Sequence, residues 1–427
     1  MTAHHELSVA EAVDRLARRE LGAEELVRSC LSRIAAREPE VQAWEILAED
    51  AADQARRIDA QPHRPFLRGL PVGIKDLIDT ADLPTTYGSP IYAGHRPKTD
   101  AACVAALRAA GAVVLGKTVT TEFAAYRGGK TRNPRDPSRT PGGSSSGSAA
   151  AVADRMVPAA LGSQTAGSVI RPASFCGAVG YKPTFGTFDL RGVHPLAPSL
   201  DTLGFFTRKV ADVPWIAAAL SGAQRPVPVA ELTKPPRLGL SRTDQWGKAE
   251  KPTQALIEQS AARLGRAGAE VREVELPAGL AGAQGVIMSA EAAAALRDER
   301  QRHGDRMSEV FRSFLTEGER CPPERLREAR EVAEQGRREL PRMFAEADVL
   351  LTLGAAGEAP RGLESTGDPA FCRAWTLLGC PCISLPVLTG PAGLPVGLQL
   401  VGAPGDDARL LAVAAWIERE LGSAAPA

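Results

Sequence analysis

Residues 140–186 read TPGGSSSGSAAAVADRMVPAALGSQTAGSVIRPASFCGAVGYKPTFG, and the fold turns on how this stretch is read. It holds two Gly-Ser pairs, Gly143-Ser144 and Gly167-Ser168, 24 residues apart. Between them lie a small-residue helix, 148–154, and an apolar run, 156–161. Glycine at this density means sharp turns or close backbone approach. A serine in such a turn is either an exposed hydroxyl or a helix cap. The choice between those two readings decides the chemistry.

The rest of the chain bounds the answer. It has 427 residues, 44% of them hydrophobic, enough for a large core. Lys+Arg and Asp+Glu are equal at 51 each, so no net field draws nucleic acid or an anionic membrane. There is no window of about 18 apolar residues to span a bilayer. The opening, MTAHHELSVAEAVDRLARRE, is charged and helical, unlike a signal peptide. The seven cysteines are scattered, and Cys380-Pro-Cys382 is too tight for a CxxC motif. This pattern predicts reduced core thiols in a cytoplasmic protein, with no metal site.

Taken in order, Ser8 and Glu11 form a capping box at the first helix. A second helix follows Gly22 and a third covers 47–58, so residues 1–60 read as a helical arm for packing and oligomerisation. Residues 70–79, LPVGIKDLID, are an apolar strand that carries Lys75. Helix 101–110, strand 112–116 and the Ser-rich stretch then alternate as an α/β domain does. The catalytic core motifs fall within 70–205, and 221–236 is a proline-rich surface connection. Strand 237–240, helix 253–267 and strand 269–276 repeat the unit, and 286–301 and 324–347 are long charged helices. Buried strands return at 347–353, 382–387 and 394–401 before a closing helix, 407–421. The expectation is a single α/β domain, 1–427, with a central mixed sheet flanked by helices.

Three motifs compete for the chemistry. Residues 111–118, GAVVLGKT, match the phosphate-binding P-loop letter for letter. A P-loop needs loop residues whose N–H groups wrap phosphate, and Ala-Val-Val-Leu is strand material. We read a buried strand ending in a surface lysine. Residues 143–147, GSSSG, match the nucleophile elbow of Ser-His-acid hydrolases. None of the six histidines, His4, His5, His63, His95, His194 and His303, sits in a polar turn late in the chain. The third possibility uses lysine as base, since desolvation lowers its pKa. Lys75 is the candidate, against the bland alternative of a lysine snorkelling at a strand end.

Lys75 in Val-Gly-Ile-Lys-Asp, residues 141–148 (PGGSSSGS), 164–173 (QTAGSVIRPA) and 180–184 (GYKPT) together resemble the amidase signature family. Residues 199–204 (SLDTLG) and 393–402 (GLPVGLQLVG) match its later blocks, so the resemblance covers nearly the whole chain. Residues 164–171, 365–369 (STGDP) and 375–377 (WTL) are similar to malonamidase-type amidases. The resemblance implies acyl transfer by a Ser-cisSer-Lys triad, with Ser168 as nucleophile, Ser144 as bridging serine after a cis Gly143–Ser144 bond, and Lys75 as base. It implies an oxyanion hole from the N–H groups of Thr165, Ala166, Gly167 and Ser168, with Gly142 and Gly143 giving room at the substrate. Ser145, Ser146 and Ser148 are then supporting hydrogen-bond partners or caps. Gln164 stands where many members carry an acid, and Ala166 where many carry glycine.

Arg171 has two readings: a clamp for a substrate carboxylate, or a buried ion pair, for instance with Asp201. Tyr126, Arg127 and Phe175 are further pocket candidates. The expected activity is hydrolysis of small amides, malonamate-like if the clamp holds, with no cofactor, no nucleic acid and no membrane, in a homodimer formed through the N-terminal helices. Within the same family the alternative is the amidase subunit of a tRNA-dependent amidotransferase, which needs a partner chain and tRNA, or a general aliphatic or aryl amidase. A different class, a catalytically dead binding relative or ATP module, is opposed by intact Lys75, Ser144 and Ser168.

Overall fold

The short apolar runs between helices become strands of one sheet in the computed structural model, which describes residues 3–125 and 127–422. In chain order they are β1 (Trp44–Leu47), β2 (Pro71–Lys75), β3 (Val113–Thr118), β4 (Ala159–Gln164), β5 (Val179–Lys182), β6 (Thr202–Thr207), β7 (Arg237–Leu240), β8 (Glu270–Glu273), β9 (Val349–Leu353), β10 (Cys382–Thr389) and β11 (Pro395–Val401). Their spatial order is β1-β3-β2-β4-β6-β5-β10-β11-β9-β7-β8. β2 runs parallel to β3 and β4, whereas β4, β6, β5, β10, β11 and β9 alternate in direction. The sheet is therefore mixed, and the C-terminal strands rejoin the first half through β5 and β10. Strands β2 to β6 and β9 are buried along their whole length, which is why they read as continuous apolar runs instead of alternating ones.

The diagnostic stretch folds onto the middle of this sheet. Helix Ser146–Ala153 is built of Ser, Gly, Ala and Val, and all its residues are buried. It has no polar face because it has no solvent face. Its small side chains let it lie close to its neighbours: a Cβ on Gly147 would stand 2.1 Å from the Ala43 carbonyl oxygen. Helix Ile170–Cys176, also wholly buried, packs on β5, β10 and β11. The two helices put the turns before them, 142–145 and 165–169, at the sheet centre beside the end of β2.

Several boundaries differ from the sequence reading. The third helix runs Ala51–Asp59 and is preceded by β1, which pairs antiparallel with β3 and ties the N-terminal arm into the sheet edge. That strand shows little alternation, since Glu45 and Ile46 are both exposed. The charged region resolves into helices Leu280–Ala295, Arg297–His303, Glu309–Glu319 and Pro323–Glu346. No helix or strand lies between Leu220 and Arg237. The P-loop pattern is the turn after a helix followed by β3, as its composition requires. The terminal lysine is not on the surface, however. Lys117 is fully buried, 3.2 Å from the Asp76 carboxylate, and donates to Ile78 O at 2.7 Å. A buried cation needs such partners. All seven cysteines are free thiols. Among the described residues, no helix is long and apolar enough to cross a membrane.

Candidate active site

β2 ends on Lys75, which carries the strand's one cationic side chain into the interior at 0% exposure. Its Nζ lies 2.7 Å from Ser144 Oγ and 2.9 Å from Ser163 Oγ. Burial pushes its pKa down to about 7, and Asp201 opposes part of that fall. An ammonium with only two hydroxyls around it is poorly compensated, so the neutral amine is accessible near pH 7. Ser163, at the end of β4, was not singled out in the sequence. The signal for it was a hydroxyl in an otherwise apolar buried strand, which must find a partner.

The Gly143–Ser144 peptide bond is cis. Around it the remaining serines are spent on the fold. Ser146 Oγ donates to Gly142 O at 2.8 Å, Ser148 Oγ to Leu161 O at 2.8 Å, and Ser145 Oγ to Ser163 O at 3.3 Å. Gly142 has φ +80° and lies against Pro172, while a Cβ on Gly143 would meet Thr366 Cγ2 at 2.7 Å.

The turn from β4 to the next helix has an unusual hydrogen-bond account. Gln164 Oε1 accepts from the N–H groups of Val169 and Ile170 at 2.9 and 3.0 Å. Its Nε2 donates to Thr376 Oγ1 at 3.0 Å, and Thr376 Oγ1 donates to the Ala166 carbonyl at 2.8 Å. Thr165 Oγ1 donates to Asp201 Oδ1 at 2.6 Å, and Asp201 Oδ2 accepts from the amides of Leu196 and Ala197. Burial raises the Asp201 pKa to about 6. By contrast, the backbone N–H groups of Thr165, Ala166, Gly167 and Ser168 donate to no acceptor among the described residues. Four consecutive idle donors in a buried turn are rare in folded proteins.

Three of these four residues, Thr165, Ala166 and Ser168, border a cavity of about 290 Å³ lined also by Ala125, Arg171 and Arg373, with Leu196 and Met288 on its apolar side. The Ser168 hydroxyl makes no hydrogen bond to a described residue, and it is not bonded to Ser144. Gly142 and Gly143 are not among the lining residues. A second cavity of about 670 Å³, lined partly by Arg127 and Glu122, contains none of the three triad candidates. Phe175 packs with Ala355 and Ala359, and Tyr126 lies outside the described residues. No histidine lines the cavity beside Ser168.

Arg171 is buried and reaches two backbone segments. Nε donates to Thr366 O at 2.7 Å, and Nη2 donates to Gly143 O at 2.7 Å. It thus braces the serine turn against the 365–369 segment while also facing the cavity. The alternative reading, an ion pair with Asp201, is not formed, because that carboxylate is occupied by Thr165 and two amides.

The arrangement can do acyl transfer: a hydroxyl beside a cavity, a second hydroxyl on a low-pKa amine, and idle donors in the turn that carries the first hydroxyl. Comparison with known proteins agrees. The amidase family model matches residues 25–411. The A-subunit of glutamyl-tRNA(Gln) amidotransferase from Anaeromyxobacter dehalogenans is 35% identical, over 97% of this chain and 96% of its own. The native peptide amidase from Stenotrophomonas maltophilia superposes with TM-score 0.83 at 31% identity, covering 98% of this chain and 97% of its own. A structure described as 6-aminohexanoate cyclic dimer hydrolase gives TM-score 0.85 at 25% identity, covering 100% of this chain and 99% of its own.

Proposed function

The chain belongs to the amidase family, whose members cleave carbon–nitrogen bonds, and on that premise we propose a serine amidohydrolase in which Ser168 is acylated by a small amide. The observation that carries this reading is Lys75, fully buried, 2.7 Å from Ser144 Oγ and held at a pKa of about 7. Neutral Lys75 takes the Ser144 proton as Ser144 takes the Ser168 proton. Ser168 Oγ then bonds to the amide carbon, and the carbonyl oxygen becomes an oxyanion facing the N–H groups of 165–168. Collapse breaks the C–N bond, with the Ser144 proton passing to the departing nitrogen. Ammonia leaves and an acyl-enzyme remains. Water attacks the ester by the same proton path in reverse and frees the carboxylic acid. Among the described residues Ser168 Oγ has no hydrogen-bond partner to give up before it turns toward Ser144.

A second reading has a specific observation behind it. Relatives similar to this chain are named as the A-subunit of a glutamyl-tRNA(Gln) amidotransferase. That favours the amidase subunit of a tRNA-dependent amidotransferase over a malonamate hydrolase. The alignment to the relative reported above extends over 477 positions, whereas this chain has 427 residues. That relative therefore carries segments this chain lacks. Both readings share the acyl-enzyme step. Malonamate rested on Arg171 as a carboxylate clamp, and that side chain is engaged with backbone carbonyls.

The test is ammonia release by the isolated chain from propionamide, malonamate, asparagine and glutamine, with Ser168→Ala beside wild type. Turnover without a partner, abolished in Ser168→Ala, supports a free-standing amidase. Turnover confined to glutamine supports the subunit reading. Undiminished turnover in a folded Ser168→Ala protein rules out Ser168 as the nucleophile.

A further inference from the structure

We propose that Arg373 determines specificity, reading a carboxylate at the far end of the substrate's acyl chain; this rests on the acyl-enzyme reading of Ser168. Arg373 lines the cavity of about 290 Å³ together with Ser168. It also lines a neighbouring cavity of about 390 Å³, and Asp368 is the other charged residue common to both. This pair therefore borders both spaces, and an acyl chain running away from Ser168 along the first comes up against Arg373.

The guanidinium is held, yet not neutralised. Its Nη1 donates to Gln284 Oε1 at 2.6 Å. Among the described residues no carboxylate lies within ion-pair distance of it. Asp368, the nearest candidate by sequence, accepts from the Ala370 amide at 2.9 Å and faces Lys248 at 3.8 Å. Gln284 is itself fully buried, and its Nε2 donates to the Thr165 carbonyl at 2.8 Å. One fixed amide thus orients Arg373 and ties it to the oxyanion turn. Gly285 leaves the room: a Cβ there would stand 3.2 Å from Arg373 Nη1. Among the described residues the remaining N–H groups of the fork have no acceptor, and a guanidinium in that state matches a carboxylate bidentately. Lys248 and Arg325 line the outer cavity too, against Glu317 and Asp368, so the surroundings do not repel an anion. Arg171 cannot serve in the same way, because its fork braces Gly143 and Thr366.

The substrate class is therefore primary amides whose acyl chain ends in a carboxylate. The test compares malonamate, succinamate and glutaramate with neutral amides of matched length. In Arg373→Met, the ratio of kcat/KM for the best carboxylated amide to its neutral counterpart should fall roughly tenfold to a hundredfold, the worth of a hydrogen bond to a charged group. Arg373→Lys should recover part of the ratio. An unchanged ratio, including equal loss on both amides, overturns the proposal. In wild type alone, masking the carboxylate as its methyl ester should cost a similar factor, and no cost overturns it equally. Calorimetric binding of glutarate separates this proposal from the acyl-enzyme reading. If no amide turns over and Ser168 is never acylated, that reading fails. Glutarate bound about tenfold or more tightly by wild type than by Arg373→Met still supports the Arg373 site, and equal affinity rejects it.

Discussion

Replacing Lys75 with methionine separates the two consequences of burying it. In the folded chain its pKa is about 7, against an ordinary 10.5. In the unfolded chain the amine is in water and holds its proton to about pH 10.4. Between those values the unfolded state binds a proton that the folded state does not, so stability rises with pH there. The cost of Lys75 is absent above the unfolded value, grows as pH falls toward 7, and is constant below. At pH 7 it is on the order of 4 kcal/mol. Methionine has similar length and no charge, but it forfeits the bonds at 2.7 and 2.9 Å to Ser144 and Ser163. Those two bonds together are worth about 1–3 kcal/mol. The variant should therefore be inactive and yet more stable than wild type by roughly 1–3 kcal/mol at pH 7. The gain should vanish near about pH 9 and reverse above it. Urea denaturation at several pH values, run beside ammonia release, measures both effects. A variant less stable than wild type by the same amount at every pH would mean that folded Lys75 is charged, and a charged lysine is no base.

Three further outcomes follow from the same geometry. Ser163→Ala removes one of the two groups that hold Lys75 Nζ, and kcat should fall about tenfold with little change in KM, because a misplaced base acts on the transition state; an unchanged kcat would make Ser163 a bystander. Gln164→Ala leaves the Val169 and Ile170 amides without their acceptor and should cost about 2–4 kcal/mol in urea denaturation, whereas Gln164→Glu, which keeps an acceptor for both amides, should lose less stability than activity. Gly147→Ala places a Cβ 2.1 Å from Ala43 O and 2.4 Å from Val119 N. Both contacts are backbone and no rotamer relieves them, so a loss above about 3 kcal/mol or insoluble protein is expected; wild-type stability would show that the helix can move.

The parts of the fold carried by local chemistry were legible. The Ser8–Glu11 capping box is present, with both of its hydrogen bonds. The buried strands at 349–353, 382–389 and 395–401 follow their apolar runs. Sheet order was not readable, because β10 pairs with β5 some 200 residues away and no local pattern records that. At the site, the serine-rich turn at Ser144 and the turn at 165–168 drew notice through their glycines and serines, whereas Lys75, in the apolar stretch 70–79, stands out as the base only through the family resemblance. Ser163, Gln284, Thr376 and Arg373 drew none. Each is an ordinary polar residue in a helix or strand, and only the fold shows that Gln284 stands between Arg373 and the Thr165 carbonyl. Lys117 shows the converse failure. It follows a strand and reads as a surface residue until Asp76 is seen beneath it.

On the proposed reading of the 165–168 amides as the oxyanion hole, Gln164 explains how they stay usable. The amides from 165 to 170 follow one another in a single turn, and an acceptor placed beside the first four would compete with substrate for them. Gln164 takes the last two, Val169 and Ile170, and leaves the first four idle. A carboxylate at 164 would satisfy the same two N–H groups, but it would put a full negative charge within a residue of the donors that must stabilise another. In a poorly solvated turn that repulsion is large, unless the acid keeps its proton. The neutral amide avoids the conflict, and its second group is used as well, since Nε2 anchors Thr376, which holds the Ala166 carbonyl. The donors are thus fixed before any charge develops, which is the condition under which fixed dipoles lower a barrier without first having to reorganise.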